Sequence, residues 1–187
     1  ILSKKLYYEN TFYHKEPILD LMNIDENQEE IVDYVICSEV LEHVIQPVKN
    51  STVNIFRMLR KGGFAIITAP YKNGNQNGET MEHFPKLYDF KIIRGEDYKQ
   101  NGVKGSRILV NITKDGERQE YTDLSFHGGE GLNIEMRLFT KKSLIDLLLD
   151  SGFSRVETID SDFEEYGIKY LGEFENLVDK EPLIAWK

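Results

Sequence analysis

The sequence predicts an α/β fold built around a parallel crossover, and three observations carry that prediction. Two short apolar runs, Asp33–Cys37 and Phe64–Thr68, flank a stretch with helical spacing. The chain between them is too long for a tight hairpin and suits a helix that returns over a sheet to a parallel strand. A second helical stretch over residues 140–152 leads into another β-like run at 155–159, so helices and strands alternate.

Composition narrows the class. With 187 residues the chain is long enough for one full-sized core, and a single domain over 1–187 is expected. Apolar residues at 40% and charged residues at 29% are ordinary for a globular protein, and no run approaches the roughly 18 apolar residues of a membrane span. The net charge of -9 makes nucleic acid an unlikely main partner, because such proteins carry a basic face. The lone Cys37 has no internal disulfide partner and falls in a predicted core strand, which suits a reducing cytoplasm.

Along the chain, ILSKKL at the start is compatible with the last turns of a helix, and Tyr7 to His14 is rich enough in Tyr and Phe to form a short strand before Pro17. LDLMNI, residues 19–24, is a short apolar run with Asp20 embedded, followed by an acidic loop at 25–30. Asp33–Cys37 is nearly continuously apolar, as in a strand covered on both faces. Ser38 then offers a helix N-cap oxygen, with Glu39 and Glu42 in the first turn, where the helix dipole favours carboxylates. On that helix Glu39, Glu42 and His43 share one face, so the spacing leaves open a divalent-cation site.

The helix resumes after Pro47, with Ile55, Phe56 and Leu59 on its apolar side and Lys49, Asn50, Asn54, Arg57 and Arg60 on the other. Gly62 and Gly63 stop it, Phe64–Thr68 follows as a strand, and Pro70 ends that strand. The loop over 71–90 is placed where a lid or substrate loop sits after a parallel strand. Two strands around Asp115-Gly116 form a hairpin over about 106–124, read as an insertion because it interrupts the alternation. FHGGEGLN, with His127, reads as a glycine-rich turn. Thr140 caps the helix that ends at Gly152, residues 155–159 form a strand, residues 160–176 are acidic and weakly patterned, and PLIAWK closes as a short strand.

The fragments DYVICSEVLEHV and RMLRKGGFAIITAP, with a helix ending in DSGF before a strand, resemble the later part of a class I S-adenosylmethionine-dependent methyltransferase of the type 11 group over roughly residues 17–160. NTFYHKEP, EHFPKLYDF, FHGG and EMRLF are further similar to a bacterial subgroup associated with surface polysaccharides. The resemblance implies a Rossmann-like sheet whose last strand is antiparallel, methyl transfer from S-adenosylmethionine, and a small-molecule or sugar acceptor methylated on oxygen or nitrogen. It implies that Asp20 holds the adenine amino group with the Leu21 backbone beside it, and that Cys37, Ser38 and Glu39 line the methionine part. His43 and His127 become the candidate general bases, since a neutral imidazole can take an acceptor's proton.

Glu39, Glu42 and His43 also resemble the ExxEH pattern of metal-dependent RNA 2'-O-methyltransferases, with His127 about where a further ligand would fall. One departure stands out: the family's glycine-rich cofactor loop has no counterpart before Asp20. That favours, as an alternative, a non-catalytic remnant of the fold that serves as a binding domain. It also predicts a sheet lacking its central strand, covered either by a homodimer contact or by a compensating strand from Tyr7 to His14.

Overall fold

The computed structural model describes residues 7–71, 78–94, 99–100, 103–104, 107–127, 133–159 and 181–187. The expectations for ILSKKL, for the glycines after His127 and for residues 160–176 lie outside them.

The main sheet has the order β1-β2-β13-β12, from strands Val32–Ser38 (β1), Leu59–Thr68 (β2), Arg155–Thr158 (β12) and Leu183–Trp186 (β13). β1 and β2 run parallel, with Tyr34 beside Phe64 and Ser38 beside Thr68. The crossover between them is the helix Lys49–Met58 (α1). The closing strand β13 slots antiparallel between β2 and β12, pairing Leu183 with Ile67 and Thr158 with Leu183. Helix α2, Lys141–Asp150, precedes β12 and packs beside α1. Ile55, Leu59, Ile67, Leu144, Leu148 and Leu183 are wholly buried and form the centre of this core.

The sequence explains most of these elements. Thr140 caps α2 reciprocally: its Oγ1 accepts from Ser143 N at 3.0 Å, while Thr140 N donates to Ser143 Oγ at 2.9 Å. α1 departs from a simple apolar stripe. Asn54, expected on the polar side, is buried, donates to Leu21 O at 2.9 Å and accepts from Arg57 at 2.9 Å. Thr52 and Ser151 share a buried 2.6 Å hydrogen bond that ties α1 to the end of α2. Polar residues thus sit on the packed face because each finds a partner there.

The Gly-Gly stop works differently from the prediction. α1 ends at Met58, and Leu59 already pairs with Val32. Residues 60–63 then form a bulge before pairing resumes at Phe64. Gly62 takes the left-handed conformation at φ 80, and a Cβ on Gly63 would lie 2.7 Å from the Asp33 carbonyl oxygen. One glycine is needed for backbone conformation and the other for close approach.

β1 is less covered than its apolar sequence suggests. Ile36 is 37% exposed, and β2 is its one strand partner among the described residues. The compensating strand expected from Tyr7 to His14 is not formed: among the described residues the segment makes an isolated bridge, Phe12 to Ile18. A bridge within one small loop leaves the segment without a register on β1.

The insertion is larger than a hairpin. Asp89–Arg94 (β4), Arg107–Ile112 (β7) and Arg118–Tyr121 (β8) form a three-stranded antiparallel meander, order β4-β7-β8. Its second turn is the one predicted, with Gly116 at φ 86 and Thr113 N donating to Glu117 O at 2.8 Å. Between β4 and β7 a further antiparallel pair joins Lys99–Gln100 (β5) to Val103–Lys104 (β6). Phe84, Leu109, Leu124, Ile134 and Met136 make a second small core beneath the meander. Two pairs of short strands join the two regions: Met81–Glu82 (β3) pairs with Arg137–Leu138 (β11), and Phe126–His127 (β9) pairs with Asn133–Ile134 (β10). No helix among the described residues is long and apolar enough to cross a membrane.

Replacing Gly63 by Ala is expected to cost about 1–3 kcal/mol, because the carbonyls of Asp33 and Arg60 must move to admit the methyl group. Gly62→Ala, with open space around it, costs about 1–2 kcal/mol through backbone strain alone. Urea denaturation of the two variants checks both values; an unchanged midpoint for Gly63→Ala would contradict the bulge.

Candidate active site

The carboxyl end of β1 turns sharply at Glu39, a non-glycine residue in the left-handed conformation at φ 53. Glu39 N donates to Thr68 O at 2.9 Å, and Ser38 Oγ lies 2.7 Å from Thr68 Oγ1 across the strand pair. Ser38 is therefore engaged with β2 and does not cap a helix. Leu41–His43 forms a single 3-10 turn begun by Val40. The expected shared helical face of Glu39, Glu42 and His43 does not exist, because the left-handed residue breaks the helix before it starts. Strained backbone of this kind costs roughly 1–3 kcal/mol and persists only where surrounding structure holds it.

What holds it is one extended segment. The Arg137 side chain is fully buried, donating from Nη1 to Leu41 O at 2.6 Å and from Nε to Glu82 Oε1 at 2.8 Å. Met136 N donates to Glu42 O at 2.8 Å. Ile134 O accepts from His43 Nδ1 at 2.7 Å. A carbonyl can only accept, so Nδ1 carries the hydrogen, and in the neutral ring Nε2 carries the lone pair.

That lone pair faces Glu42. His43 Nε2 lies 3.5 Å from Glu42 Oε1, and His127 Nδ1 lies 3.8 Å from the same oxygen. The Glu42 side chain is fully buried, whereas His43 and His127 are 17% and 34% exposed. The two imidazole rings meet edge to face with centroids 4.9 Å apart. One donor atom from each of Glu42, His43 and His127 lies within 4.8 Å of the others. The structure therefore assembles three of the four residues proposed as a metal set. Glu39 is not part of the cluster among the described residues.

Two further residues join the cluster, and spacing alone could not have found them. Glu135 bridges two imidazoles, with Oε1 2.8 Å from His83 Nε2 and Oε2 3.0 Å from His127 Nε2. The hydrogen bond from His83 holds the Glu135 carboxyl below the usual carboxylate range, against the opposing effect of burial. Glu135 and His83 do fall in EMRLF and EHFPKLYDF, but 52 residues separate them, and only the pairing of β3 with β11 brings those segments together.

The expected cofactor residues lie on two segments. Asp20, half-buried, turns its own loop by accepting from Met22 N at 2.9 Å through Oδ1. Leu21 packs against the main core, and its carbonyl is held by Asn54. Ser38 is exposed and Glu39 half-buried at the end of β1. Cys37 is 3% exposed and belongs to the core, as expected of a residue in a core strand, which leaves its backbone to line a site. Burial, with a smaller contribution from the Glu42 charge, pushes its thiol up to about 12.

The thiolate fraction of Cys37 should accordingly be roughly a thousandfold below that of an ordinary thiol with pKa 9.0. At pH 8 the folded protein is expected to resist a disulfide-exchange reagent that modifies the urea-unfolded chain within minutes. Equal rates in the two states would contradict the burial of this residue.

The methyltransferase domain family matches residues 5–67. No curated protein matches the sequence. Among solved structures, the chain is similar to an S-adenosylmethionine-dependent methyltransferase from Mesorhizobium loti, with 15% identity over 91% of this chain and 68% of that one, at a TM-score of 0.46. It is similar to the 1,6-didemethyltoxoflavin-N1-methyltransferase of Burkholderia thailandensis, solved with 1,6-didemethyltoxoflavin and S-adenosylhomocysteine bound, at 15% identity over 90% of this chain and 48% of that one, TM-score 0.45. A third similar structure is an S-adenosylmethionine-dependent methyltransferase from Clostridium acetobutylicum, at 14% identity over 90% of this chain and 62% of that one, TM-score 0.42. The chain thus spans about half of the Burkholderia enzyme's length and less than two thirds of the Clostridium protein's. The matched residues, 5–67, run from the start of the described chain through β1 and α1 and nearly to the end of β2.

Proposed function

We propose that the protein transfers a methyl group from S-adenosylmethionine to an oxygen or nitrogen of a small molecule or sugar. The observation that carries this reading is the Glu42–His43–His127 cluster, which stands at the carboxyl edge of β1, where ligands of open α/β sheets bind. Glu42 and His43, moreover, follow β1 within the segment, residues 5–67, that matches the methyltransferase domain.

The residues present suit the cofactor. Asp20 and Glu39 supply carboxylates for its amino and hydroxyl donors, Ser38 supplies an exposed hydroxyl, and Leu21 and Cys37 supply backbone. When bound, S-adenosylmethionine supplies an already activated methyl group on a sulfonium sulfur, which leaves as a neutral thioether. The protein's own task is then alignment and exclusion of water. For a hydroxyl or ammonium acceptor it must also take up one proton, and His127 or His43 does so through a lone pair directed into the cluster. Buried Glu42 stabilises the imidazolium that results.

A second reading rests on the same convergence. The two imidazole nitrogens and the Glu42 oxygen have the donor chemistry of a divalent-metal site, and a bound ion would polarise the acceptor hydroxyl in place of a base. The net charge of -9 argues against RNA as the acceptor under either reading.

Isothermal titration of the full-length native chain with S-adenosylhomocysteine is expected to show binding, and Asp20→Ala to weaken it roughly 10- to 100-fold, the loss of a charged hydrogen bond. No binding would favour the non-catalytic remnant. His127→Ala is expected to lower kcat about 10²- to 10⁴-fold with cofactor affinity unchanged. Elemental assay and chelation separate the two site chemistries: activity retained in metal-free protein excludes the metal reading, and activity lost on chelation and restored by a divalent ion establishes it.

A further inference from the structure

Glu135 has no place in the proton uptake just described, yet both of its carboxylate oxygens are held. Its two oxygens receive two different imidazoles, His83 at 2.8 Å and His127 at 3.0 Å. Its backbone N–H is bound to Ser125 O at 2.9 Å, and its chain neighbours Ile134 and Met136 are bound to His43 and Glu42. The carboxylate is therefore fixed in position relative to the turn that carries Glu42.

This matters because a neutral imidazole carries one hydrogen on either of two nitrogens, and only the bare nitrogen can accept a proton. An ionised carboxylate accepts hydrogen bonds and donates none. Each Glu135 oxygen meets an imidazole nitrogen, Oε1 that of His83 at 2.8 Å and Oε2 that of His127 at 3.0 Å, so the carboxylate is placed to accept from both rings. Beside such a group His127 must carry its hydrogen on Nε2. Nδ1 is then bare, and it is Nδ1 that faces Glu42 Oε1 at 3.8 Å and lies beside the His43 ring.

We propose that Glu135, braced by His83, is a positioning residue that locks His127 into the tautomer whose lone pair on Nδ1 points into the cluster. The inference deepens the methyl-transfer reading, on which its catalytic consequence rests. In that reaction the acceptor's proton passes to Nδ1, the ring becomes an imidazolium with Nε2–H still bonded to Glu135, and the electron pair of the broken bond stays on the acceptor atom. The bare Nδ1 is the same atom that would hold a metal ion, so the lock serves the site under either chemistry.

The test reads the tautomer directly. The chain has four histidines, so nitrogen-15 correlation spectra of the full-length protein can be assigned by comparison with His127→Gln and His83→Gln. His127 is expected as the Nε2–H form in the wild type. In Glu135→Gln the amide presents an N–H to one of its two imidazoles, and His127 is expected to become a mixture of both forms. Turnover should fall about 10- to 100-fold in that variant, through kcat and not KM. Glu135→Asp, which keeps an acceptor, should restore the Nε2–H form. A wild-type His127 in the Nδ1–H form overturns the proposal whether or not any variant folds, and so does an unchanged tautomer in folded Glu135→Gln. An inactive wild type with His127 locked as Nε2–H would instead count against the methyl-transfer reading alone.

Discussion

The site depends on the hold that Ile134–Arg137 exerts on Leu41–His43. Arg137 binds the carbonyl of Leu41, Met136 the carbonyl of Glu42, and Ile134 the ring of His43. A short 3-10 turn preceded by a left-handed glutamate has little stability of its own. Charge-assisted hydrogen bonds contribute roughly 1.5–3 kcal/mol each, so the Arg137 contacts alone offset strain of that size. Because Arg137 also grips Glu82, and Glu135 grips His83, the same segment ties the turn to the stretch that opens the insertion. Chemistry at the end of β1 is therefore set by residues from three separated parts of the chain.

This arrangement gives the meander a role beyond decoration. The second core, centred on Phe84, Leu109 and Met136, lies against the chain that carries both clamping arms. Packing there positions Met136, whose backbone reaches Glu42, and its neighbours: Ile134, whose carbonyl holds His43, Glu135, whose side chain holds His127, and Arg137, which holds Leu41 and Glu82. The main sheet supplies the edge at which Glu42 and His43 stand; residues 134–137, packed in part against the second core, supply the groups that hold the Glu42 turn, His43 and His127. Changes in the packing of the meander can thus reach this cluster without touching it directly.

Much of the framework could be read from local pattern. The crossover, the Thr140 cap, the Asp115-Gly116 turn and the existence of the closing strand all depend on residues near one another in sequence, or on a periodicity that a helix or strand imposes, whereas the antiparallel direction of that strand was implied only by the family resemblance. The readings that failed are those in which a local preference competed with a distant partner. Ser38 is a good N-cap, but Thr68 claims its hydroxyl from the neighbouring strand. Asn54 looks like a surface residue, but the Leu21 carbonyl needs its amide.

Sequence by itself determined that helix and strand alternate here and that the end of β1 carries Glu42 and His43, and its similarity to a methyltransferase domain runs over residues 5–67. The first two properties follow from short-range sterics and hydrophobic period. Only the tertiary structure decided which of the acidic residues meets the histidines. Among the described residues the cluster is built on Glu42 and not on Glu39, because a left-handed residue replaces the helix that would have aligned them. It decided, too, that His83 and Glu135 belong to the site, since hydrogen-bond partners 52 residues apart are chosen by strand pairing and not by spacing.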